Sequence, residues 1–176
     1  MQRIPYPTLT AAQQEKHARQ RINLSRILFL LPEAIHNGMA AASKYVLFES
    51  QFDAVLRELI ILRVGYLSKC AYEEYQHRGL AKQLGLTDAQ IEAALSATPG
   101  APLTERERTL LHFADEVILN VRPSDAALEG ARRYLSDVEI FETLYIIGNY
   151  MFLARVLETS GIPLDDGVIV SNPDER

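Results

Sequence analysis

A single cysteine in 176 residues excludes an internal disulfide framework. Basic stripes interleaved with aromatics are missing too. The formal charge is −5 with acids and bases mixed along the chain, so nucleic acid is not an expected partner. No apolar run approaches about 18 residues, so no membrane span or membrane partner is expected. Residues Met1 to Thr10 carry two prolines and no apolar stretch, which is not the pattern of a secretory leader. There is no Gly-rich phosphate loop and no Gly-x-Ser-x-Gly elbow. Among His17, His36, His77 and His112 no two stand at metal-ligand spacing. Glu73 and His77 also miss the Glu-x-x-His spacing of di-metal bundles, and no second motif matches them. These absences lead to the expectation of a soluble, cytoplasmic protein with no cofactor and no metal.

What is present is apolar periodicity of the helical kind. Hydrophobic residues make up 48% of the chain, enough for a sizeable core in one domain over 1–176. An extended arm over 1–10 precedes a polar, helix-prone Ala11 to Arg21. Pro32 suits the first position of a helix that runs to about Phe48. Phe52 to Leu67 is apolar nearly all round, which predicts a central, buried helix. The next helix spans about Cys70 to Leu84, with Gly85 at C′ and Leu86 as its hydrophobic partner. Capping boxes at Thr87/Gln90, Thr104/Glu107 and Ser136/Glu139 open three more helices. Pro123 and Ser124 start a further short one. The Pro- and Gly-bearing stretch Ala97 to Leu103 marks a hinge rather than a domain boundary. Gly161 and Pro163 stop the last helix before a tail over 164–176. The fold class is all-α, with about seven or eight helices.

The chemistry-bearing groups concentrate in one stretch. Cys70, Glu73 and His77 stand at offsets of 0, 3 and 7 residues. On an α-helix these offsets fall within a sector of about 60°. A thiol at a helix N-terminus is biased toward thiolate, while Glu73 one turn on opposes that charge. Glu73 and His77, four apart, suit an acid–base pair, with Tyr72 and Tyr75 around them. An ordinary surface pair is the structural alternative. Glu58 sits inside the most apolar helix, where a carboxylate must be paired, hydrogen-bonded or protonated. Arg57, being adjacent, is expected to face another side, and Arg63 lies five residues on. A structural ion pair with another helix or a neighbouring subunit is the alternative to a functional role. His112, between Leu111 and Phe113, is expected at the core edge.

The segment Arg57-Glu58-Leu59-Ile60-Ile61-Leu62, followed by Cys70, Tyr72, His77, Ala81, Gly85, Leu86 and Thr87, resembles the carboxymuconolactone decarboxylase family. Its superfamily also holds the alkylhydroperoxidase D-like proteins. The similar core runs from about residue 52 to 94. The last helix, with Glu142, Asn149 and Arg155, is similar to the family's final helix. The resemblance implies an all-α, alkylhydroperoxidase D-like fold. It also implies a homo-oligomer, trimer or hexamer, with active sites near subunit contacts, across which the arm Ile4-Pro5-Tyr6-Pro7 could lie. Hydroperoxidase-like members use a Cys-x-x-Cys pair, a downstream histidine and an upstream glutamate. Glu58, Cys70 and His77 stand at three of those positions. Glu73 replaces the second cysteine, so the intramolecular disulfide cannot form. The chain is therefore similar to the branch that lacks the pair.

Three functions follow as expectations. The first is acid–base catalysis, decarboxylation or a related proton transfer, on a small carboxylate or lactone. His77 would move the proton, Glu58 or Glu73 would orient it, and Arg57, Arg63 or Arg155, with Tyr72, would bind substrate. The second is a one-cysteine thiol peroxidase of the peroxiredoxin type acting through Cys70 and an outside thiol. The third is a non-catalytic oligomer that binds a small ligand.

Overall fold

The computed structural model describes residues 2–167. The tail expected from residue 164 onward therefore lies outside the described residues beyond Gly167. Among the described residues there are nine α-helices and no strand, and eight of the helices have seven or more residues. They form two compact units: residues 2–51 with 155–167, and Phe52–Ala154. The Ala97–Leu103 stretch lies inside the second unit.

The first unit opens with the proline-bearing arm. Its Arg3 and Ile4 N–H groups donate to the Ser160 carbonyl at 2.7 and 3.1 Å, and the Tyr6 ring lies under the Arg26 guanidinium at 4.5 Å. Helix α1 (Ala11–Gln20) starts from a Thr10/Gln13 capping box. Helix α2 (Asn23–Leu28) has six residues and no capping side chain, so nothing in the sequence pattern announced it. The Asn23 N–H donates instead to the distant Asp165 carboxylate at 2.7 Å. Helix α3 (Glu33–Lys44) continues into a π-helical turn, Tyr45–Glu49. Pro32 is the N-cap, not the first helical residue: its φ of −50° and ψ of 139° are extended.

In the second unit, α4 (Ala54–Ser68) is the buried centre. Leu59, Ile60, Ile61, Leu62 and Val64 are almost wholly out of solvent, as an all-round apolar helix must be. Asp53 caps it, accepting from the Val55 and Leu56 N–H groups at 3.0 and 3.2 Å. It ends at Lys69 in the left-handed region (φ 55°), with the Cys70 N–H returning to the Gly65 carbonyl at 2.9 Å. That reversal sends α5 (Ala71–Gln83) back along α4. Gly65 permits the close pass: a Cβ there would stand 3.3 Å from the Glu73 Cβ.

Helices α6 (Asp88–Ala94), α7 (Glu105–Asn120), α8 (Asp125–Arg132) and α9 (Asp137–Ser160, in this unit up to Ala154) complete it. The boxes at Thr87, Thr104 and Ser136 all form. By length and composition α9 could cross a membrane, although no long unbroken apolar run announced it. At the end of α5, the Gly85 N–H meets the Lys82 carbonyl and the Leu86 N–H the Ala81 carbonyl, both at 3.0 Å. Gly85 has φ 93°, where a side chain is strained. Gly85→Ala is expected to cost about 1–2 kcal/mol in urea unfolding, and an unchanged midpoint would show that the turn relaxes freely.

Candidate active site

Three helices of the second unit bring the polar groups together. Helix α4 supplies Arg57 and Glu58, α5 supplies Glu73 and His77, and α9 supplies Tyr150. Glu58 is fully buried. Its Oε2 accepts from His77 Nδ1 at 2.7 Å, and its Oε1 accepts from Arg57 Nε at 3.0 Å. The adjacent arginine thus reaches the carboxylate that it was expected to face away from. Its long arm bends around the helix, because a buried anion without a cation costs far more than an off-axis side chain. Burial pushes the Glu58 carboxyl up, but His77 and Arg57 outweigh burial and hold it below its ordinary range. Glu58 is therefore an ionised anchor.

The anchor sets the imidazole. With Nδ1 committed to Glu58, Nε2 is the atom left for a substrate. The partner of His77 is Glu58, nineteen residues upstream, and not Glu73 one turn back. Glu73 is nevertheless buried, as are Tyr72 and Gln76 on other faces of α5. Tyr75 does not join them. It lies on the outer face of α5, lining a shallow surface depression with Tyr66, Lys69 and Arg78.

Tyr150 escaped the sequence reading, because it joins the site only through the packing of α9. Its ring meets His77 edge-on, with centroids 5.0 Å apart. Burial, then the Glu58 and Glu73 carboxylates, push its phenol well above its ordinary range, so it stays neutral.

Cys70 is the N-cap of α5 and is fully buried, and its thiol makes no capping bond. Arg63, expected to hold a substrate carboxylate, is committed elsewhere. Its guanidinium forks onto both oxygens of Asp115 and onto the Ala94 and Ser96 carbonyls. Arg155 belongs to the other unit. His112 is exposed rather than at the core edge, with Nε2 3.2 Å from the Glu116 carboxylate. Among the described residues no three His, Cys, Asp or Glu side chains converge as metal ligands.

The carboxymuconolactone decarboxylase family model matches residues 33–116, which includes Glu58, Cys70, Glu73 and His77. Over those residues the chain is similar to that family. Solved structures of AhpD-like proteins extend the likeness in fold to the rest of the chain. A protein of unknown function from Agrobacterium tumefaciens, named after the antioxidant defence protein AhpD, is 27% identical with a TM-score of 0.72. The match covers 84% of this chain and 99% of that one. A peroxidase-related protein from Silicibacter sp. is 21% identical with a TM-score of 0.79, over 94% and 92% of the two chains. The debrominase Bmp8, in complex with 2,3,4-tribromopyrrole, is 15% identical with a TM-score of 0.78, over 94% of each. No match was found among curated proteins.

Proposed function

We propose that this AhpD-like chain catalyses proton transfer on a small carboxylate or lactone, with decarboxylation as the prototype reaction. The observation that carries the reading is the buried Arg57–Glu58–His77 chain, with its 2.7 Å carboxylate–imidazole bond. It commits Nδ1 of the imidazole to the carboxylate and leaves Nε2 as the nitrogen for proton transfer. In a decarboxylation the carbon–carbon bond to the departing carboxylate breaks, and its electron pair passes into the conjugated lactone carbonyl as a dienolate. His77 Nε2 then delivers a proton to carbon. The neutral Tyr150 phenol and Arg57 are the nearby groups suited to the developing oxyanion and the carboxylate.

A second reading, thiol peroxidation by Cys70, draws on the peroxidase-related and antioxidant-defence names of similar structures. Full burial of the thiol weighs against it, because a peroxide must reach the sulfur.

One paired assay separates the readings. Carboxymuconolactone consumption and hydroperoxide reduction with dithiothreitol are measured for the wild type, His77→Ala and Cys70→Ser. Proton-transfer chemistry predicts a loss of about 10²–10⁴-fold in lactone turnover for His77→Ala, with Cys70→Ser near wild type. Hydroperoxide turnover abolished by Cys70→Ser, with no lactone turnover in any form, would reverse the assignment.

A further inference from the structure

Helix α5 has two faces of different chemistry. Glu73 and His77 are buried on one side. Ala71, Glu74, Tyr75 and Arg78 stand at i, i+3, i+4 and i+7 on the other, within a sector of about 100°. With Tyr66 and Lys69, from the reversal between α4 and α5, they line a depression of about 480 Å³. Small-molecule sites hold roughly 300–1,000 Å³. Two opposite charges in this depression are uncommitted. Glu74 has Arg78 at the ordinary i,i+4 spacing, but the Arg78 guanidinium turns to Glu92 on α6. Among the described residues the Glu74 carboxylate and the Lys69 ammonium make no ion pair, with each other or with any other group. Both residues are anchored all the same. A Cβ on Gly65 would stand 3.4 Å from Glu74 Cγ, so the Glu74 stem is seated on α4. Lys69 lies in the left-handed region (φ 55°), where glycine is the unstrained residue. Buried Arg63 backs the Tyr66 ring at 5.1 Å.

We propose that this depression binds a small aromatic zwitterion, of which a free aromatic amino acid is the simplest case. The ligand ring packs on Tyr66 and Tyr75, its carboxylate meets Lys69 and its ammonium meets Glu74. Charge selects that class. A ligand of one sign satisfies one of the two groups and is repelled by the other. Glu74 therefore works against a nucleotide or an inorganic anion, and Lys69 against a simple amine. The site lies on the face of α5 away from His77, and it stands whether or not the Arg57–Glu58–His77 chain transfers a proton.

The chain has no tryptophan, so L-tryptophan serves as ligand and reporter together. Its fluorescence anisotropy, excited where tyrosine does not absorb, is expected to rise on titration with the full chain. A Kd of about 0.1–1 mM suits a ligand of this size in an open site. Indole-3-propionate, which lacks the ammonium, and tryptamine, which lacks the carboxylate, should each bind about tenfold more weakly. Glu74→Gln should erase the preference for tryptophan over indole-3-propionate. Lys69→Gly should erase the preference over tryptamine. Glycine is unstrained at that position, so a full circular-dichroism signal with weakened binding separates a lost contact from a lost fold. The proposal is overturned by an anisotropy that stays flat across that range, or by a wild type that binds the three ligands alike. It is overturned equally by variants that keep the wild-type preferences.

Discussion

Replacing Arg63 with alanine is expected to lower the unfolding free energy by about 3–5 kcal/mol, the usual cost of removing one partner from a buried charge pair. Arg63 is 2% exposed. Four of its N–H groups are used: Nε and Nη2 on the two Asp115 oxygens, and Nη1 on the Ala94 and Ser96 carbonyls at 3.0 and 2.6 Å. It ties α4 to α7 and satisfies carbonyls at and just beyond the end of α6, where helix termini leave acceptors unmade. Asp115 keeps some contact with water, so part of its loss is recovered by hydration. Lysine restores the charge without the planar fork, and Arg63→Lys should fall between wild type and alanine. Urea unfolding with an unchanged slope measures this. A loss under about 1 kcal/mol for the alanine variant would mean that the knot is relieved by local rearrangement.

Glu58→Gln should be the second large effect, and it should depend on pH. The folded-state pKa of Glu58 lies below its ordinary value of 4.5. A group depressed on folding stabilises the protein fully above its unfolded value, and that stability is lost as pH falls through the folded value. The wild type should therefore shed this contribution below about pH 4.5, while Glu58→Gln, which has no proton to take up there, should show a flatter acid limb. At neutral pH the glutamine variant removes the shared anion from Arg57 and His77 together, at a cost of about 3 kcal/mol or more. Under the proton-transfer reading it should also lower lactone turnover, because Nδ1 loses the carboxylate that sets the ring. Parallel stability-against-pH curves for the two proteins would refute this account of Glu58.

Local signals in the chain were sufficient for much of the scaffold. A capping box is a contact between residues three apart, so Thr87, Thr104 and Ser136 announce their helices without reference to anything distant. The Gly85–Leu86 turn is equally local. Arg57 shows where local reasoning stops. Adjacent positions on a helix diverge by 100° at Cβ, yet a long guanidinium arm follows a buried charge around the cylinder. Helix α2 shows the same limit in backbone form, because its first N–H is satisfied by Asp165, 142 residues away.

Chain-local signals carry the all-α class, the family resemblance, and Glu58, Cys70, Glu73 and His77 as candidate site residues. Those features rest on periodicity and short spacings that the chain carries locally. Helix packing settles which groups pair with which. It assigned His77 to Glu58 rather than Glu73, took Arg63 away to Asp115, brought in Tyr150 from α9 and sealed Cys70. Each of those choices is a competition among buried groups for a limited set of partners. The winner depends on which helices lie side by side, and spacing along one helix does not contain that information.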